Sequence, residues 1–344
     1  MASNAKFYDG NKIINTLDLE KQKPAIVMIC GNRTAGKTFW CKKYCVRTWT
    51  KKHRKFIVLV RFGYQLTGMV DTFFKDLLEV GVVEGEFTQQ TVVKNSIEEI
   101  FMDGVVCGYV VALNNADSIK RNSTLFTDVD VIFFDEFQSE TGKYCPNEIQ
   151  KFISIYTSVA RGGGKQSRYV LTLMCSNNVT LLNPYYCEFD IPSRLQRDTK
   201  ILRGNGWILE ITFNESASEA IKTSGIGRAF ANNKYMSYSS ENIYLNDSDT
   251  FIEKYHGPKT LYWIIDYDGE TYGIWNCGNF FYISTQYDPN FKRRYAIDVN
   301  DHNLSTILIK SGNVDYKLWR EFFDNGLFRF ENLKCKQLMF AMLK

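Results

Sequence analysis

The sequence predicts an α/β chain, with a mainly parallel sheet covered by helices and then a smaller α+β domain. Three observations lead there. Gly31-Asn32-Arg33-Thr34-Ala35-Gly36-Lys37-Thr38 has the form G-x-x-x-x-G-K-T and stands between an apolar run and a helical pattern. Apolar runs alternate with helix-period segments through the first half of the chain, as they do when strands are buried on both faces. From Lys259 onward the texture changes to short strands separated by Asp268-Gly269 and Gly278-Asn279, the pattern of an antiparallel meander.

The length of 344 residues suits two domains of ordinary size, and 44% apolar with 15% aromatic residues supplies their cores. A formal net charge of +4 excludes a polybasic tail protein, so any nucleic-acid contact must come from local patches. The nine cysteines contain no C-x-x-C pair and there are three histidines, a composition that argues against a zinc site or disulfide framework and fits a reducing compartment. Met1 to Asp9 lacks the apolar core of a signal peptide, and no apolar run approaches membrane-spanning length.

Residues 5–20 are short and mixed, and an aromatic there (Phe7 or Tyr8) either covers an adenine ring or plugs the sheet edge. Pro24 to Cys30 reads as the first strand. In the loop that follows, glycines let consecutive N–H groups turn inward, and the next helix adds its positive dipole end, so the loop suits polyphosphate. Lys37 is expected on the β- and γ-phosphates and the Thr38 hydroxyl on Mg²⁺, with ATP or GTP as the nucleotide. A helix follows to about Thr50. Phe56 to Phe62 reads as a buried strand whose Arg61 faces a pore or a ligand. Residues 70–81 repeat at helical spacing, residues 98–113 form a hairpin at Asp103-Gly104, and Asn114 to Thr124 is a polar loop carrying Lys120 and Arg121.

Val129 to Glu136 is a mostly apolar strand ending in two acids. After a phosphate loop, Asp135 suits the Mg²⁺ shell and Glu136 suits proton abstraction from the attacking water. Asn147 to Val159 reads as a helix running into Arg161-Gly162-Gly163-Gly164-Lys165, where three glycines end it in a mobile loop. Tyr169 to Cys175 is another strand, and the amide of Asn177 at its tip can sense a γ-phosphate. The nucleotide is expected at the strands' carboxyl ends. Arg194, Arg197, Lys200 and Arg203 make a basic, turn-rich stretch, Trp207 to Phe213 resumes a strand, and 214–249 is Ser/Asn-rich with short helical pieces at Ala217 to Lys222 and Ile226 to Asn232. The predicted domains are 1–206, a lid or linker over 207–249, and 250–344. In the last, a strand over 295–299 follows Lys292-Arg293-Arg294, and helices over 314–325 and 331–343 close the chain.

These motifs, in this order, resemble the DNA-packaging ATPase of phi-29-like tailed bacteriophages over nearly the whole chain. The resemblance rests on Asp135-Glu136-Phe137, Pro146-Asn147-Glu148, Ser176-Asn177, Asn183-Pro184-Tyr185, Phe251-Ile252-Glu253-Lys254 and Tyr287-Asp288-Pro289. It implies an ASCE-type ATPase domain and an RNase H-like domain that has lost its nuclease chemistry. It also implies a homopentameric ring on the portal of a procapsid in the host cytoplasm, driving double-stranded DNA inward with ATP and Mg²⁺. In some relatives a structural packaging RNA joins the motor. Carried onto this chain, Lys37 and Thr38 hold phosphate and metal, Asp135 is the Walker B acid and Glu136 the catalytic glutamate. Arg161 is the arginine finger offered to a neighbour, Lys120 a second trans-acting base, and Arg33 a competing arginine inside the loop. Two other classes compete, a terminase with a working nuclease and a non-translocating P-loop switch. A nuclease needs converging acids, for which Asp266, Asp298, Asp315 and Asp324 are the candidates.

Overall fold

A computed structural model describes residues 7–162, 166–195, 199–241, 244 and 251–342. Lys165 of the glycine loop and Arg197 of the basic stretch lie outside the described residues. The chain divides into two units. The first comprises 1–189 and 195–246, and the second 190–194 and 247–344.

The first unit begins with α1 (Asn11–Ile14) and β1 (Ile26–Gly31), followed by α2 (Lys37–Lys52), β2 (Lys55–Val60) and α3 (Met69–Glu79). Three strands come next: β3 (Phe87–Val93), β4 (Ile97–Met102) and β5 (Val105–Ala112). Then follow α4 (Ala116–Arg121), β6 (Val129–Asp135), α5 (Glu148–Val159), β7 (Leu171–Ser176) and α6 (Pro184–Glu188). A short helix α7 (Ile191–Arg194) belongs to the second unit. The first unit closes with β8 (Ile201–Arg203), β9 (Trp207–Thr212), α8 (Glu215–Thr223), α9 (Gly225–Ala229) and α10 (Lys234–Ser240).

Nine strands form one sheet in the order β3-β4-β5-β2-β6-β7-β1-β9-β8. From β5 to β9 every pairing is parallel, and the antiparallel β3, β4 and β8 lie at the edges. The central strands bury almost every residue, which explains their unbroken apolar runs. Strand β3, with sequence FTQQTVV, exposes alternate residues at the sheet edge and so lacks a strong apolar signal. The expected polar loop at 114–124 contains α4. Six residues are too few to show a helical period, and Ile119, fully buried, anchors the helix beside α5. The Ser/Asn-rich stretch after β9 holds the expected short helices as α8 and α9, and a third, α10. Asn214, Ser224 and Asn233 accept from the backbone N–H groups of Ala217, Gly227 and Tyr235 as N-caps of α8, α9 and α10. The boundary expected at 206/207 falls between the paired strands β8 and β9.

In the second unit β10 (Thr260–Tyr267), β11 (Glu270–Asn276) and β12 (Phe281–Ser284) form the antiparallel meander. The strand after the basic stretch, β13 (Arg294–Ala296), pairs parallel with β10, and β14 (Ile307–Leu308) pairs parallel with β13. Helix α11 (Val314–Asp324), β15 (Phe328–Phe330) and helix α12 (Leu333–Met342) complete the unit, giving the order β14-β13-β10-β11-β12-β15. Three antiparallel strands followed by strands parallel to the first is the topology expected of an RNase H-like sheet. Its core is aromatic, with Trp263 and Trp319 fully buried and edge-on at 4.6 Å.

A buried ion pair holds the turn after β6. Arg61 faces neither pore nor solvent; its side chain is 8% exposed and lies against Glu148, itself 1% exposed. The guanidinium donates to the Glu148 carboxylate at 3.0 to 3.2 Å and to the carbonyls of Phe137 (2.7 Å) and Glu136 (3.4 Å). Tyr185 Oη and the Cys145 N–H donate to the same carboxylate at 3.1 and 2.8 Å. Two of the shared motifs, Pro146-Asn147-Glu148 and Asn183-Pro184-Tyr185, therefore meet at one charge. Removing one partner of a buried pair strands the other without hydration. Glu148→Ala is expected to lower unfolding free energy by roughly 3–5 kcal/mol, read from urea denaturation. A loss below about 1 kcal/mol, typical of exposed pairs, would contradict this account.

Candidate functional site

The carboxyl ends of β1, β7 and β6 open on a cleft of about 380 Å³. Its lining includes Arg33 through Phe39, Asp135, Glu136, Ser176 and Asn177. The loop Gly31–Thr38 joins β1 to α2, and Gly36 takes a φ of +92°, a left-handed conformation that glycine adopts without a Cβ penalty. Gly31 is required for a different reason, since a Cβ there would stand 2.2 Å from the Thr212 carbonyl oxygen of β9.

Lys37 is buried within the loop. Its Nζ donates to the carbonyls of Asn32 (2.6 Å) and Gly31 (3.1 Å) and approaches Asn177 Oδ1 at 3.4 Å. Burial draws this ammonium below the ordinary lysine range. Thr38 Oγ1 donates to Asp135 Oδ1 at 3.2 Å, and the Cys175 thiol donates to the same oxygen at 3.0 Å. Burial pushes the Asp135 carboxyl up, opposed by hydrogen bonds from Cys175, Thr38 and the Glu136 N–H. Two hard oxygens of opposite parentage, a hydroxyl and a carboxylate, thus face each other beside the loop. That donor set fits Mg²⁺, which takes few protein ligands and completes its shell with phosphate and water.

Glu136 lies one residue beyond β6 with a φ of +51°, a conformation rare for a residue with a Cβ and found most often where a site constrains it. Its side chain is exposed to the cleft, and burial of the carboxyl together with the nearby Asp135 charge raises its affinity for protons. Asn177 sits between Asp135 and Lys37 because β7 lies between β6 and β1.

The loop is also bound to the helices after β9. Asn32 and Asn214 exchange reciprocal hydrogen bonds at 2.9 Å, and the Arg33 N–H donates to the Ser239 carbonyl at 3.1 Å. The Arg33 guanidinium pairs with Glu140 and lies 5.2 and 5.8 Å from the ring centroids of Tyr235 and Tyr238. Both tyrosine hydroxyls donate to Glu140, at 3.2 and 2.7 Å. Tyr8 does not plug the sheet edge; it donates to Glu210 of β9, inside β8, and packs on Trp40 of α2, whereas Phe7 is exposed beside Gly36.

Lys120 and Arg161 are not at this cleft. Lys120 is exposed on α4, and Arg161 is exposed just after α5. Neighbouring Gly162 lies against Thr127, ahead of the first residue of β6, whereas Asp135 is its last. At about 3.3 Å per residue, β6 separates the two by roughly 20 Å.

In the second unit the four candidate acids do not converge. Asp266 is held bidentate by Arg294 at 2.6 and 2.7 Å and receives the Thr271 hydroxyl at 2.7 Å. Asp298 caps a turn through the Asn300 N–H, Asp315 binds Arg293 and Tyr295, and Asp324 pairs with Arg320. Among the described residues no group of three or more potential metal ligands forms. Gln138 and Glu140 are neighbours of the site that sequence patterns do not reveal, because each is placed by long-range contacts. Only their position just after the two-acid motif hinted at them.

A sequence model described as podovirus DNA encapsidation protein (Gp16) matches residues 4–344. The DNA packaging protein of Bacillus phage phi29 is 26% identical over 322 residues, 92% of each chain. That of Bacillus phage B103 is 27% identical over 326 residues, 92% of this chain and 95% of its own. The bacteriophage Phi-29 viral genome packaging motor assembly contains a chain that superposes with a TM-score of 0.71 at 26% identity, covering 98% of this chain and 99% of that one. The Phi-28 gp11 DNA packaging motor shares the fold at a TM-score of 0.64 and 17% identity, over 99% and 98% of the two chains.

Proposed function

Because this chain belongs to the podovirus DNA encapsidation protein family, we propose that the cleft hydrolyses ATP to drive double-stranded DNA into a viral procapsid, as part of a ring of identical subunits. One observation carries the reading: phosphate loop, metal-binding pair, acid and amide lie together at the carboxyl ends of β1, β6 and β7, while Arg161 stands near the amino end of β6. The backbone N–H groups at the turn into α2 and the Lys37 ammonium bind the phosphates, displacing the carbonyl contacts that Lys37 makes. Thr38 and Asp135 would hold Mg²⁺, which would supply neutralisation of the phosphate charge. Glu136, poised by its raised proton affinity and its fixed turn, accepts a proton from the attacking water. Asn177 contacts the γ-phosphate.

Arg161 is too far from its own phosphates to act on them, so it serves a neighbouring subunit, with Lys120 on the adjacent α4 as a second trans-acting cation. The ring is a pentamer, as the resemblance implies, and residues 214–240 form its lid. DNA contacts are made to phosphates by exposed cations such as Lys143 and Lys292. Arg61 is excluded by its burial, and Arg293 and Arg294 already hold acids of their own. The protein works in the host cytoplasm docked on the portal of the procapsid, where a structural RNA is a further partner for its second unit. No described helix is long and apolar enough to cross a membrane.

The second unit binds without cutting. Two-metal hydrolysis needs acids that are free to share ions about 4 Å apart, and the Arg294 guanidinium already neutralises Asp266.

Lys37→Ala is expected to lose ATP affinity, whereas Glu136→Gln keeps affinity and stalls hydrolysis. Near wild-type turnover by Glu136→Gln would remove Glu136 from the chemistry. Mixing Arg161→Ala with Lys37→Ala protein should restore part of the activity, because one mutant supplies the intact loop and the other the intact arginine. The arginine is worth on the order of 10³ in rate. Absence of complementation at every ratio would make Arg33, in cis, the transition-state arginine. Plasmid incubated with the protein in Mg²⁺ or Mn²⁺ should stay supercoiled, and cleavage that disappears in Asp266→Ala would restore the nuclease reading.

A further inference from the structure

The left-handed turn at Glu136 sends the next two side chains inward. Phe137 is fully buried and Gln138 is 1% exposed. Gln138 is the more unusual of the two, because a buried amide needs partners at both ends. Its Oε1 accepts from the N–H groups of Val179 (3.0 Å) and Thr180 (3.1 Å), and its Nε2 faces the Cys30 sulfur at 3.4 Å. The orientation of the amide follows from this chemistry, since the flipped form would set an NH₂ against two N–H donors.

Strand order gives this contact its reach. Gln138 follows β6 and Cys30 belongs to β1, with β7 between them. The side chain therefore crosses the carboxyl end of β7 and grips the segment that begins two residues after Asn177. The Val179 N–H is shared with the Asn177 carbonyl at 3.0 Å, which closes a tight turn that begins at Asn177 and is centred on Asn178. Asn177 is thus held on one side by the sheet and on the other by Gln138, with its Oδ1 3.4 Å from Lys37 Nζ.

We propose that Gln138 is a positioning residue for this reaction: it sets the Asn177 amide against Lys37 and the γ-phosphate by anchoring the 179–180 backbone to the segment that carries Glu136. The proposal rests on the reading of Asn177 as the group that contacts the γ-phosphate. Gln138 touches neither nucleotide nor metal. It acts by tying the amide and the acid into one rigid piece, so that both keep the same register to the phosphate.

The test compares Gln138→Met, Gln138→Glu, Asn177→Ala and the Gln138→Met/Asn177→Ala double variant in the 344-residue chain, by ATP turnover and by ADP affinity. Gln138→Met should lower kcat on the order of ten- to a hundredfold, the effect of slight misplacement near reacting atoms. ADP affinity should change by less than about threefold, because the loop itself is untouched. The double variant should be no slower than Asn177→Ala, since both substitutions remove one interaction. Gln138→Glu keeps the accepting oxygen and should stay close to wild type. If Gln138→Met does not fold, Gln138→Asn, one methylene shorter, carries the same expectation. Additive losses in the double variant, or wild-type kcat in Gln138→Met, would overturn the proposal. Wild-type turnover in Asn177→Ala would instead remove the site reading beneath it.

Discussion

Three parallel strands lying side by side, in the order β6-β7-β1, are the constraint on which the site depends. Parallel strands share a direction, so their carboxyl ends open on one edge, and neighbours are spaced about 4.8 Å apart. The loop from β1, the amide after β7 and the acids ending β6 consequently emerge within about 10 Å of one another, although they are far apart in sequence. No catalytic group has to be carried to the cleft by a long loop. The same geometry exiles Arg161, because α5 runs back against the strands and delivers its carboxyl end to the opposite edge. Separation of Arg161 from the phosphates is thus a consequence of winding, and it is the reason that subunit contact enters the proposed chemistry.

The edge is then stiffened by polar groups that have left water. Arg61, Glu148 and Tyr185 bind the turn after β6, and Gln138 binds that turn to the loop after β7. Such groups are costly to bury, and satisfied hydrogen bonds offset the cost only when every partner is in place. They contribute less to net stability than to holding one geometry. The phosphate loop is joined to α8 and α10 in the same manner, through Asn32 with Asn214 and through Arg33 with Glu140 and two tyrosines. A change in the loop on nucleotide binding therefore has a direct route to the helices that follow β9.

In the second unit the strand order is that of an RNase H-like sheet, and among the described residues no group of potential metal ligands forms. Asp266 occupies the end of the first strand, where an RNase H-like site places an acid, but its two oxygens are engaged by one guanidinium. A planar, permanently charged fork is well matched to a carboxylate. The remaining acids serve turns and helix surfaces. Cations that the sequence displays as a run, Lys292-Arg293-Arg294, are divided in the fold. Arg293 and Arg294 turn to acids of the same unit and Lys292 is exposed.

What the sequence determined by itself was everything that local rules write. The eight-residue loop, the buried strands, the two-acid terminus at Asp135-Glu136 and the Asp268-Gly269 turn are legible because glycine content, β-branched runs and motif spacing act over a few residues. Local rules also explain the errors. Helix α4 is too short to display a period, and β3 is an edge strand with polar residues. Tertiary structure alone decided which charges are usable. Arg61 read as facing a pore or a ligand and is a buried brace, Asp266 read as a solvated turn acid or a candidate nuclease acid and is a buried partner of Arg294, and Gln138 carried no signal at all. The physical reason is the same in each case. An ionisable or amide side chain takes its role from its partner, and here Arg294, Val179, Glu148 and Cys30 lie from 28 to 108 residues away from the side chains they meet, brought near only when the sheets form.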